Sequence, residues 1–183
     1  VSQKDTEDKE KAAQDAVSDA EKSLKDSKTK SNENKEAVTA ADDAVKKLTG
    51  TVKKQLQAII KDLNSAIKAK EAVENAEDKM NNKILTAKDV TTAEKAISTV
   101  QNTLYIPGLK ERLDILIKKL EENEAADLLN KAKEAVEKAE TTKATKDITA
   151  AKKAISLVKD EAEKVKLTKQ IEGLEVQIAK DAM

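Results

Sequence analysis

ITAAKKAI occupies residues 148–155, and VTTAEKAI (90–97) and VTAADDAV (38–45) repeat it in outline. All three run apolar–Thr–x–Ala–x–x–Ala–apolar. Apolar positions spaced three and four apart share one face of a helix, whereas a strand would send them to opposite faces. The phrase therefore reads as helix, and its recurrence reads as an internal repeat.

The second and third copies align at a separation of 58 residues, since Val90 meets Ile148. The same separation carries Asp89 onto Asp147, Leu109 onto Leu167, Leu113 onto Ile171, Leu116 onto Leu174 and Leu120 onto Ile178, without a gap. Upstream of the phrase stand KEAVENAE (70–77) and KEAVEKAE (133–140), with a fainter DAVSDAEK (15–22). Downstream, VKKQLQAIIKDL (52–63) parallels LKERLDILIKKL (109–120). Each repeat thus holds three amphipathic segments in fixed order, A, B and C. Such short helices are marginal alone and must bury their apolar stripes against one another.

Composition agrees with this reading. Charged residues make up 38% of the chain and aromatics 1%, with 3 Gly, 1 Pro and 35 basic residues balancing 35 acidic ones. Helix formers dominate, and the cores they can build are thin and alanine-rich. The expectation is an all-α protein of three tandem three-helix bundles in an elongated rod. Its parts would be a charged segment at 1–10 and repeats at 11–66, 67–124 and 125–183. A compact fold of six to nine separate helices is the alternative.

Punctuation places the turns. Thr49–Gly50 and Pro107–Gly108 stop helices between B and C. Asp89 and Asp147 precede the second and third B helices as N-caps. The third repeat has no such breaker, but Val165 and Leu167 cannot share one face, which puts its B–C turn near 161–164. KDSKTKSNENKE (25–36) reads as a long polar loop between A and B of the first repeat. By contrast, 51–77 and 109–140 contain no internal Gly or Pro. Each is expected to be one long helix shared by successive bundles, the second spanning about 48 Å.

Chemistry is sparse. The chain has no Cys and no His, which removes disulfides, thiolate or imidazole metal ligands and the usual base and nucleophile partners. Asp42–Asp43 is a carboxylate pair inside a helical phrase and reads as solvated helix surface. Basic residues interleave with acidic ones and lack stacking aromatics, so no nucleic-acid partner is expected. No apolar run is long enough to span a bilayer. Neither an enzyme nor a cofactor is expected.

Two stretches could meet a partner. TLYIPGL (103–109) carries the sole aromatic, Tyr105, beside Ile106 and could anchor a partner; its plainer reading is a loop pinned by burying Leu104, Ile106 and Leu109. NNKILTAK (81–88) carries Ile84 and Leu85, and its plainer reading is a bundle cap.

KAKEAVEKAETTKATKDITAAKKAISLV, followed by a turn and LTKQIEGLEVQIAK, resembles the tandem three-helix repeats of Gram-positive secreted, cell-wall-associated and S-layer-associated proteins. The shared features are AV-x-x-AE on helix A, the Asp–apolar opening of helix B and a Leu/Ile-spaced helix C. The resemblance implies an extracellular or cell-surface spacer or adhesive stalk, with no catalytic residue to carry over. Three roles follow: a monomeric surface stalk, a helical module binding a host or neighbouring protein, or an intracellular scaffold that self-associates through alanine seams.

Overall fold

The structure, a computed structural model, describes residues 2–183. Helices α1 (Gln3–Lys25), α2 (Ser31–Lys46), α3 (Gly50–Asn81) and α4 (Ala87–Ser98) come first. A 3₁₀ turn (Thr103–Tyr105) follows, then α5 (Leu109–Thr142), α6 (Thr145–Ser156) and α7 (Glu161–Asp181). No strand occurs among the described residues, so the class is all-α. The chain divides into two compact units, Val1–Lys118 and Lys119–Met183.

In the first unit α1, α2 and α3 pack pairwise on one another, and α4 packs on α3. The stripe Ala13, Val17, Ala20, Leu24 of α1 is buried, as are Val38, Ala41 and Val45 of α2. Helix α3 runs unbroken through the stretch that lacked Gly and Pro. Its buried positions continue from Leu56, Ile60 and Leu63 through Ala66, Ile67, Ala69 and Lys70 to Val73 and Ala76. One helix therefore supplies wall to α1 and α2 and also to α4, the two overlapping between Asp62, which holds the segment after α4, and Glu74, which holds the start of α2. Gly50 (φ 77°) and Gly108 (φ 72°) lie at the two expected B–C turns, in the left-handed region where a side chain is strained.

The second unit is built from the C-terminal part of α5 with α6 and α7. Ala132, Val136 and Ala139 close on Ile148, Ala151, Ile155 and Val158 and on Leu167, Ile171 and Leu174. Three of these ten are alanines, which bring helices close but bury little area each.

The 58-residue repetition is structural as well as textual. Helices α4 and α6 begin and end at equivalent residues, 87 with 145 and 98 with 156. Their buried seams match, Val90, Ala93 and Ile97 against Ile148, Ala151 and Ile155. The following helices bury Leu109, Leu113 and Leu116 against Leu167, Ile171 and Leu174.

Three local expectations are corrected. Asp89 and Asp147 are not N-caps but third helical residues. Thr86 caps α4 in a reciprocal capping box with Asp89, while Ala144 occupies the cap of α6 without a side-chain bond. There Thr142 substitutes: its Oγ1 donates to Asp147 Oδ2 at 2.6 Å and accepts from the Ala144 N–H at 3.2 Å. An Asp just before an apolar residue marks a first turn, and either position fits that signal. The last B–C turn lies at 157–160 rather than 161–164, because Asp160 accepts from Ala162 N and Glu163 N and starts α7 early. Finally, the polar A–B loop covers only 26–30, and SNENKE is helical. The α2 terminus is satisfied from outside: Ser31 N–H and Oγ donate to the Glu74 carboxylate of α3 at 3.2 and 2.5 Å.

Asp89 also pairs with Lys79 of α3. The Lys79 bond, then Thr86, holds its carboxyl at about 2, below the usual 3.8. A depressed carboxylate stabilises the fold above its unfolded value and loses that contribution as pH falls through the folded one. The first unit should therefore weaken as pH drops from 3.8 toward 2. Asp89→Asn should show less of this acid loss when both proteins are unfolded in urea at a series of pH values.

Candidate functional site

Two apolar loops were the sequence candidates, and the structure places their residues differently. Tyr105 is buried at 4% exposure, and Ile106 is buried too. The Tyr105 ring sits in a 3₁₀ turn that packs on α1, and its hydroxyl donates to Glu21 Oε2 at 2.7 Å. Asp62 of α3 anchors the same turn by accepting from the Gln101 and Asn102 N–H groups, both at 2.8 Å. Ile106 and Leu109 are buried as expected, but Leu104 is not: it stands 63% exposed, because the 3₁₀ turn points Tyr105 inward instead. In the other loop Ile84 is 60% exposed and Leu85 half-buried. The two loops contribute to no common site.

Burial, then the Glu21 carboxylate, pushes the Tyr105 hydroxyl from 10.0 up to about 12. A raised acid stabilises the fold fully below its unfolded value and loses that contribution as pH climbs through the folded one. Tyr105→Phe should cost the first unit about 1 kcal/mol at neutral pH, the worth of one part-buried hydrogen bond. Its stability should then fall less than the wild type's between pH 10 and 12. Urea unfolding at neutral and alkaline pH measures both effects.

The most concentrated polar chemistry lies elsewhere. Lys70, in the middle of α3, is 6% exposed and Asn34 of α2 is fully buried. Lys70 Nζ donates to the Thr29 carbonyl and, at 2.9 Å, to Asn34 Oδ1. Asn34 Nδ2 in turn donates to Ser23 Oγ at 2.8 Å. One turn on, Glu74 holds Ser31, and Glu77 receives the guanidinium of Arg112 from α5. Burial lowers the Lys70 ammonium below 10.5, partly opposed by Glu74 and reinforced by Arg112. Glu77 raises the Arg112 guanidinium further.

A cleft of about 480 Å³ opens beside this network, lined by Lys28, Thr29, Lys70, Glu74, Asp78 and Arg112 among others. The donors and acceptors around Lys70 are largely engaged with each other. The network's evident work is to fasten the α1–α2 loop and the start of α5 to one point on α3. Apolar periodicity alone does not reveal it, because Lys70 and Asn34 are polar residues at seam positions. The signal was present: Leu63, Ala66, Lys70 and Val73 keep the three–four spacing, as do Asn34, Val38, Ala41 and Val45.

Two further clefts are equivalent to one another. In the first unit Ile97, Ser98, Ile106, Lys110, Leu113 and Asp114 help line a groove of about 440 Å³ between α4 and α5. In the second, Ile155, Ser156, Lys164, Thr168, Ile171 and Glu172 help line one of about 400 Å³ between α6 and α7. Each of these residues stands 58 positions after its counterpart. Their charges differ, Glu94 giving way to Lys152, which pairs with Glu175 at 2.9 Å. Among the described residues no group of three or more carboxylates could hold a metal ion, and no helix is long and apolar enough to cross a membrane.

Comparison with known protein families, curated proteins and solved structures finds no match for this chain.

Proposed function

We propose that the chain is a non-enzymatic spacer or stalk of a bacterial surface or secreted protein, made of three tandem three-helix bundles joined through α3 and α5. The observation that carries the reading is the repetition of one helical hairpin at 58 residues. The same helix limits, the same buried seam and the same groove recur while the surface charges change. Repetition that keeps the interior and varies the exterior suits a part whose role is to extend. In the tandem arrangement the bundles succeed one another along the shared helices as an elongated rod.

Two measurements test this. In small-angle scattering a rod gives a radius of gyration well above the roughly 16 Å of a compact 183-residue chain. In the native host, a membrane-impermeant amine reagent should label the chain's many lysines on intact cells. A compact particle would remove the rod, and labelling only after lysis would remove the surface role.

The second reading is a helical module recognising a host or neighbouring protein, and the paired grooves favour it. A partner held there should bind less well after Ile97→Lys and Ile155→Lys together than after either alone. Equal binding by all three variants would sink that reading.

A further inference from the structure

The two long helices are alike in the sequence but not in how they are supported. Along α3 burial never lapses for more than a turn, and the Lys70 network fastens it to the α1–α2 loop and to α2. Along α5, none of the residues between Leu116 and Ala132 is buried. Ile117 still lines the α4–α5 groove, and Leu129 already packs on the core of the second unit. In the stretch between them, 118–128, Leu120, Ala125 and Leu128 are half-buried and the other eight residues are exposed. Its centre, EENEAAD (121–127), contains no large apolar residue.

Local terms do little to compensate. Glu121 and Glu124 are like charges three apart, and Asn123 is a poor helix former. The ion pair Lys131–Asp127, 3.1 Å, is surface-exposed on both sides. Without packing the stretch is held only by helix propagation from its two ends, which is close to neutral per residue in water. Both flanking cores stop short of it, so its opening removes no buried residue from either.

We propose that residues 118–128 of α5 are a yielding element that opens ahead of both units and lengthens the chain while leaving each core folded. Helix rises about 1.5 Å per residue and extended chain about 3.3 Å, so opening eleven residues adds about 20 Å. Under tension the chain gives first at this point, and opening relieves stress that would otherwise reach the thin cores. The inference adds a mechanical property to the spacer reading, but its test does not depend on where the protein resides.

Hydrogen exchange on the intact 183-residue chain, followed by mass spectrometry, decides it. Peptides covering 118–128 should be at least about a hundredfold less protected than those covering 60–70 of α3. Asn123→Pro should leave the thermal transitions of both units where the wild type has them, while removing what protection 118–128 has. Asn123→Ala should slow exchange in that stretch alone. Equal protection of the two helices would overturn the proposal, and so would a lowered transition in either unit of the Asn123→Pro protein. Failure of surface labelling would remove the stalk role and leave this result standing; failure here would leave the labelling result standing.

Discussion

Leu63→Ala should cost the first unit about 3–4 kcal/mol and leave the second unit's unfolding where it is. Leu63 has no exposed surface and stands on the α3 seam among Ile60, Ala66 and Ile67. Of these Ala66 is too small to reach into the space left behind, and the isoleucines, stiff at χ1, fill it only in part. Such a site loses the transfer free energy of the removed atoms and also bears the cost of a residual cavity. Helix α3 packs on α1, α2 and α4, so the lost contacts fall on the helix that ties the unit together. A loss of that size would lower the unit's midpoint by on the order of 10 °C or more. The second unit has its own core of Ile148, Ile155, Leu167, Ile171 and Leu174 and draws on none of the affected residues. Urea unfolding followed by hydrogen exchange at both units should show one transition displaced and one fixed. If both move together, the two cores unfold as one and the division into separately stable units is wrong.

The packing of those cores was partly legible in the sequence. Seams such as Val90, Ala93, Ile97 and Ile148, Ala151, Ile155 were read from spacing because helical periodicity is a local property that neighbours hardly disturb. The unbroken α3 and α5 were read from the lack of Gly and Pro, which interrupt helices wherever they occur. Caps are less legible. Asp89 and Asp147 signal a first turn without fixing the position in it, and Asp160 escapes the apolar pattern because a change of apolar phase locates a turn only to within a helical turn. Tyr105 illustrates a different limit. Its burial depends on Glu21 and α1, 84 residues earlier in the chain, and no local pattern reports so distant a neighbour. The start of α2 is similar, since SNENKE looks like loop until Glu74 supplies the missing acceptor from another helix.

Lys70 presents the sharpest conflict between local rule and tertiary context, and its replacement should separate the charge from the hydrogen bonds it makes. Lys70→Ala removes the donor to Asn34 Oδ1 and to the Thr29 carbonyl and leaves a gap on the α3 seam. Buried acceptors without a donor lose the desolvation already incurred, and the gap adds a packing loss, so the first unit should weaken by about 2–4 kcal/mol. Lys70→Met keeps most of the volume and discards a buried charge, so it should cost less than the alanine change. Lys70→Met combined with Asn34→Leu takes away both partners and should cost less than the sum of the single changes, the signature of a coupled pair. Alkaline pH gives a second, independent readout. Because burial lowers the Lys70 ammonium below 10.5, the unfolded chain binds that proton more tightly than the folded one. The contribution of Lys70 to stability therefore rises as pH climbs through its folded value and levels off above 10.5. Glu74, Asp26 and Glu33 act against the shift and Arg112 with it, so the rise should be steeper in Glu74→Gln than in the wild type and absent in Lys70→Met. Tyr105 pulls the other way above pH 10, and Tyr105→Phe is the background in which the lysine's slope is cleanest. Should Lys70→Ala melt like the wild type with an unchanged pH profile, Lys70 would not be fastening the α1–α2 loop to α3. The firmness of that joint, in contrast with the bare stretch of α5, would then need another source.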